Sequence, residues 1–170
     1  MADDSKYRVR NPRLPSYLGE HAAPEVGAES DEETCPAFGF LRGQHERAVM
    51  LGFRLRNGNS EAFAYSCLVS FRHDPSVGLL LRFTGDGLTL VLVSGSNLDA
   101  PVGEGTVNLT DRGLQRHRVT FLREMDEDEL QKAGEGVPTI DGIDIGEFET
   151  VQEMRDWLKE RAPAFLRAPG

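Results

Sequence analysis

Hydrophobic and polar positions alternate with period two through the middle of the chain, the spacing that places every second side chain of a strand on one face. Over RAVMLGFRL (47–55), Val49, Leu51, Phe53 and Leu55 share one face, with Met50, Gly52 and Arg54 on the other. Over EAFAYSCLVSF (61–71), Phe63, Tyr65, Cys67, Val69 and Phe71 alternate with Ala64, Ser66, Leu68 and Ser70. Asn57-Gly58 between them is a two-residue hairpin signal, because both residues accept a positive φ. A turn carrying Pro75 and Gly78 leads to GLLLRFTG (78–85), and Gly85-Asp86-Gly87 leads to LTLVLVSG (88–95). The unbroken apolar run of this last segment predicts a strand covered on both faces. Four strands joined by short loops predict an antiparallel meander.

The flanks read less regularly. CPAFGFLRG (35–43) predicts a short strand or turn, and 96–115 is loop-like. In HRVTFLRE (117–124), Val119 and Phe121 alternate as a strand, although Leu114, Phe121, Leu122 and Met125 would also line a helix; the strand is favoured. MDEDELQKAGEG (125–136) is an acidic helical turn ending at Gly134, and VPTIDGIDIGEF (137–148) is an irregular strand. TVQEMRDWLKERAPAFL (150–166) predicts a helix. Thr150 and Glu153 have capping-box spacing, Val151, Met154, Trp157, Leu158 and Arg161 form a stripe, and Pro163 ends or bends the helix. The expected fold is α+β: a strongly bent antiparallel sheet or small β-barrel of about 5–6 strands, capped by the C-terminal amphipathic helix.

That fold is expected as one domain over 35–170, with a β-rich, mildly basic part (35–123) and an acidic strand–helix part (124–170). Residues 1–34 read as an extended or disordered N-terminal arm. Pro12, Pro15, Gly19, Pro24 and Gly27 interrupt any period, and AESDEET (28–34) has no large apolar residue to offset the entropy of ordering. Tyr7 and Tyr17 stand in the arm as isolated anchors for docking on a partner.

Charge sharpens this division. The chain of 170 residues has net charge −9, unevenly spread. Residues 1–34 hold 8 acidic and 4 basic residues, 35–123 hold 7 and 10, and 124–170 hold 13 and 5. An acidic protein is a poor ligand for a phosphate backbone, so nucleic acid is not the expected partner. Arg112, Arg116 and Arg118 around His117 form the basic cluster that an alternative nucleic-acid or small-ligand face would use. No apolar run approaches the roughly 20 residues of a membrane span, and MADDSKYRVR lacks the apolar core of a signal peptide. With two cysteines, the chain is expected to be cytoplasmic, its thiols reduced. Sixteen arginines against three lysines suggest a GC-rich, bacterial genome.

Motifs for chemistry are sparse. Cys35, Cys67, His45, His73 and His117 lack the spacings that gather metal ligands, so no metal site is expected. Ser94 and Ser96 flank Gly95 at a strand exit, but no nucleophile-elbow sequence or base accompanies them. The glycines of GDG and GEGTVNLTDRG match neither phosphate-binding pattern, and no cofactor is expected. The strand ending in VSGSNL, after an Asn-Gly hairpin, resembles the second motif of Sm-like RNA-binding barrels. Ser94 stands where that motif has arginine, the aspartate and asparagine of the first motif are missing, and no site residue follows from the resemblance. The expected function is therefore non-catalytic: a bacterial cytosolic accessory or adaptor module that binds a protein through its arm, its acidic region or a sheet edge. Tyr7, Tyr17, Glu127, Asp128, Trp157 and Phe165 are the candidate contacts. The alternatives are a small barrel binding nucleic acid or a small ligand through Arg112, Arg116 and Arg118, and an enzyme with unrecognised acid chemistry.

Overall fold

The structure, a computed structural model, describes residues 31–167. Nine strands form two sheets: β1 (Glu32–Thr34), β2 (Phe38–Leu41), β3 (Met50–Arg54), β4 (Ser60–Ala64), β5 (Leu68–Asp74), β6 (Gly78–Thr84), β7 (Leu88–Ser96), β8 (Val119–Arg123) and β9 (Thr139–Phe148). The first sheet runs β1-β2-β8-β3-β4 and the second β5-β6-β7-β9. All neighbours are antiparallel except β3 and β8, which are parallel. Among the described residues there are two α-helices, α1 (Glu127–Lys132) between β8 and β9 and α2 (Val151–Arg161) after β9.

The mostly antiparallel sheets and the C-terminal helix agree with expectation, but the sheets do not close into a barrel and there are more strands than anticipated. The predicted meander is broken at its second segment. Residues 61–71 are not one strand: the chain makes a single 3-10 turn at Tyr65–Cys67, with β4 in one sheet before it and β5 in the other after it. Two hairpin units thus lie in different sheets. The corner is held by Tyr65, whose hydroxyl donates to the Val119 carbonyl on β8 at 2.6 Å while its backbone N–H donates to Val49. The alternation of residues 63–71 therefore changes hands at the turn, and Val69 becomes exposed. Val49, expected inside with Leu51 and Phe53, precedes β3 and is 78% exposed. Residues 32–34, placed in the arm by composition, form β1.

The inner faces of both sheets bury one core. Phe38, Phe40, Leu51, Phe53 and Leu122 come from the first sheet, and Leu79, Leu81, Phe83, Val91 and Val93 from the second. The alternate positions of the second sheet, Leu80, Leu90 and Leu92, pack against Leu158, Ala162 and Phe165 in and after α2. This accounts for the continuous apolar run of β7: it is an interior strand with a sheet on one side and a helix on the other. Gly146 on β9 is part of the same fit, since a Cβ there would meet the rings of Phe148 and Trp157 at 2.5 and 3.1 Å.

Local signals bound the helices, and the Thr150–Glu153 start of α2 is the one expected. Both α1 and α2 begin with complete capping boxes, Asp126–Glu129 and Thr150–Glu153. Pro163 stops α2 and starts a one-turn 3-10 helix, Pro163–Leu166. The sheets are also tied by polar contacts. The Glu124 carboxylate accepts from the Arg56 N–H (2.6 Å) beyond β3 and from the Ile143 N–H (2.8 Å) on β9.

Burial raises the Tyr65 phenol above its ordinary value, because the phenolate would lose its water. An unfolded tyrosine titrates near about pH 10. The folded chain keeps the proton to higher pH, so this contribution to stability is full below about pH 10 and is lost as pH rises toward the folded pKa. Tyr65→Phe is expected to cost about 1 kcal/mol at pH 7, from the unpaired Val119 carbonyl. It should also flatten the stability loss above about pH 10. Urea denaturation at pH 7, 10 and 11 measures both; an unchanged alkaline slope would remove Tyr65 as its source.

Candidate functional site

Among the described residues the first sheet ends at β4, which pairs only with β3. The hairpin is set locally, by the Gly58 N–H donating to Leu55 and the Leu55 N–H donating to Asn59, around the predicted Asn57-Gly58 turn. Inward Leu51 and Phe53 then lock the register. The outer edge of β4, Ser60-Glu61-Ala62-Phe63-Ala64, has no proline and a single charge. Proteins usually guard such an edge with lysine, proline or a bulge. At one end of this edge lie exposed apolar side chains: Met50, which pairs with Ala64, is 45% exposed beside Val49.

Alongside β4 opens a cavity of about 630 Å³, between the edge strand and the β6–β7 hairpin. Phe63 and Phe83, stacked at 4.8 Å, and Phe148 give it an apolar wall, while Asp86, Glu147 and Glu149 give it carboxylates. Cys67 also lines it. The arrangement offers main-chain donors and acceptors along an edge and an apolar, acid-bearing pocket beside them. The pocket is not legible from sequence, because its walls come from four separate strands, β4, β6, β7 and β9.

The other candidate residues are scattered. Glu127 and Asp128 are exposed on the first turn of α1. Glu129 in the same helix is engaged by the Arg123 guanidinium through two bonds (2.8 and 3.0 Å), and that contact lowers its carboxyl pKa. Trp157 is half-buried, edge-on to Phe148 at 5.5 Å with the Arg161 guanidinium over its ring. Phe165, expected as an exposed anchor past Pro163, is 5% exposed and packs in the helix–sheet core. The turn that Pro163 imposes points it back at the sheet. Tyr7 and Tyr17 lie outside the described residues.

The basic cluster also comes apart. Arg118 is 5% exposed and donates to the carbonyls of Leu41 (2.9 Å) and Arg42 (2.8 Å), so it closes the end of β2 and cannot contact a nucleic acid. Arg112 and Arg116 remain exposed, Arg112 bonding to the Thr106 carbonyl. His117 stacks on Tyr65 at 4.5 Å. Burial raises the Cys35 thiol pKa, which keeps it from the thiolate form. Among the described residues no three His, Cys, Asp or Glu side chains gather as metal ligands, and no helix is long and apolar enough to cross a membrane. Compared with family models, curated proteins and solved structures, the chain matches none.

Proposed function

We propose that the chain is a non-catalytic protein-interaction module that takes an extended segment of a partner as an added strand beside β4. The observation that carries this reading is the β4 edge, unpaired among the described residues, with the 630 Å³ cavity alongside it. In strand addition, main-chain hydrogen bonds supply affinity and a pocket for alternate side chains supplies specificity. The carboxylates of Asp86, Glu147 and Glu149 favour a segment that presents a basic side chain to the cavity, flanked by apolar residues for Val49 and Met50. The free thiols Cys35 and Cys67 fit a reducing compartment, and an adaptor in a bacterial cytosol is the corresponding setting.

The test places a photo-crosslinking residue at Ala62 and, separately, at exposed Gln115 of the full chain, in lysate of the native cell. The expected result is one stoichiometric protein captured from position 62 and not from 115. The purified pair should then protect β4 amides from hydrogen exchange, with capture lost in Glu147→Gln/Glu149→Gln. Equal capture at both positions, or protection at Glu127 and Asp128 on α1 instead of β4, overturns the assignment.

A further inference from the structure

On the opposite side of the molecule from the first sheet, the second sheet and α2 enclose a groove of about 290 Å³. Its floor is made by β5, β6 and β7 and its walls by α2 and the 3-10 turn after it. Among the described residues three guanidinium groups line it, Arg72 on β5, Arg82 on β6 and Arg155 on α2, and no carboxylate does. This is a concentrated basic lining in a chain of net charge −9. None of the three arginines forms an ion pair among the described residues.

Arg82 gives the groove its direction. Its Nε is shut off from solvent and has no hydrogen-bond partner among the described residues. A buried donor without an acceptor costs free energy and calls for an explanation; a turn of the Arg82 side chain toward a bound acceptor would recover that cost. Arg72 is already positioned, donating to the carbonyls of Phe165 (2.6 Å) and Arg167 (3.2 Å). Apart from Ser70 the remaining lining is apolar: buried leucines and Phe165 at the helix–sheet contact, and the more accessible Val151, Met154 and Leu166. A small hydrated anion would meet the guanidinium groups but leave that apolar surface wet. A neutral apolar molecule would cover the surface but leave Arg82 unpaired.

We propose that this groove binds an amphipathic carboxylate. The carboxylate accepts from Arg82 with Arg72 and Arg155 around it, and the apolar body lies against Val151, Met154 and Leu166. Guanidinium groups suit this role because their planar donor fork matches two carboxylate oxygens. At about 30 Å³ per water-sized volume, the groove holds a body of roughly ten such units, the scale of a medium-chain acid. The site is on the other sheet from β4, so it stands or falls independently of strand addition.

Isothermal titration of the full chain with octanoate, octan-1-ol and inorganic phosphate tests this. Octanoate is expected to bind saturably at one per chain, at least tenfold tighter than either octanol or phosphate. Arg82→Gln should weaken it at least tenfold and Arg155→Gln several-fold. Arg155 is exposed on α2, so its variant decides the matter alone if Arg82→Gln does not fold. Octanoate binding that does not saturate, octanol or phosphate binding as tightly, or octanoate affinity unchanged in Arg155→Gln and in a folded Arg82→Gln, each overturns the assignment.

Discussion

Gly78→Ala is expected to destabilise the fold by about 3 kcal/mol or more, combining a backbone conformation that only glycine adopts readily with a backbone collision. Gly78 opens β6 at φ +138°, and a Cβ there would sit 2.0 Å from the Val93 carbonyl oxygen on β7. The obstructing atom is main chain in the middle of the second sheet, held by the Leu79–Val93 and Gly78–Ser94 pairing. It cannot rotate away as a side chain would. Relief requires the β5–β6 hairpin end to separate from β7, which also disturbs Leu79 and Val93 in the shared core. Since whole domains are stable by only about 5–15 kcal/mol, the variant should show a large drop in urea midpoint and poor yield at growth temperature. A loss below about 1 kcal/mol would falsify the claim that this strand start is rigid.

Phe83→Ala should cost about 3–5 kcal/mol, the range for deleting a buried aromatic side chain. Phe83 is 1% exposed. Its ring stacks on Phe63 of β4 at 4.8 Å and meets Phe53 of β3 edge-on at 6.2 Å, so it joins the sheets across the core. Aromatic pairs of these geometries add about 0.5–1.5 kcal/mol beyond area burial. The ring also borders the cavity beside β4. Water can enter the space it leaves, which favours the lower end of the range. Phe83→Leu should recover most of the loss, because it refills the volume without the ring contacts. Guanidinium or urea unfolding of both variants measures the difference; equal losses in the two would show that the ring contacts, and not the filled volume, dominate. The same variants bear on strand addition, since Phe83→Ala removes part of the apolar wall of the proposed pocket.

Both residues stand in segments whose strand character is plain in the chain. The apolar runs of 78–84 and 88–93 are consequences of side chains alternating between two buried faces. The functional features were less legible. Phe165 and Arg118 look exposed and available because one follows a helix-ending proline and the other sits in a basic run. Each is buried because of a partner distant in sequence: Phe165 by Leu80 and Arg72, Arg118 by the carbonyls of Leu41 and Arg42. Arg72, Arg82 and Arg155 carry no sequence signal as a group. They come from three elements and meet only when α2 folds onto the second sheet.

Periodicity, turn chemistry and caps act over a few residues, so the hairpin at Asn57-Gly58, the interior position of β7 and the Thr150–Glu153 start of α2 are properties of the chain read locally. The choice of strand partners is of another kind. That 61–71 bends at Tyr65 into two sheets, that β8 inserts between β2 and β3 parallel to β3, and that β4 lies at the edge of the described sheet depend on which arrangement buries the most apolar surface while pairing the buried backbone groups. That is a balance over the whole molecule, in which contacts such as Tyr65 with Val119, 54 residues apart, decide between local alternatives of similar energy.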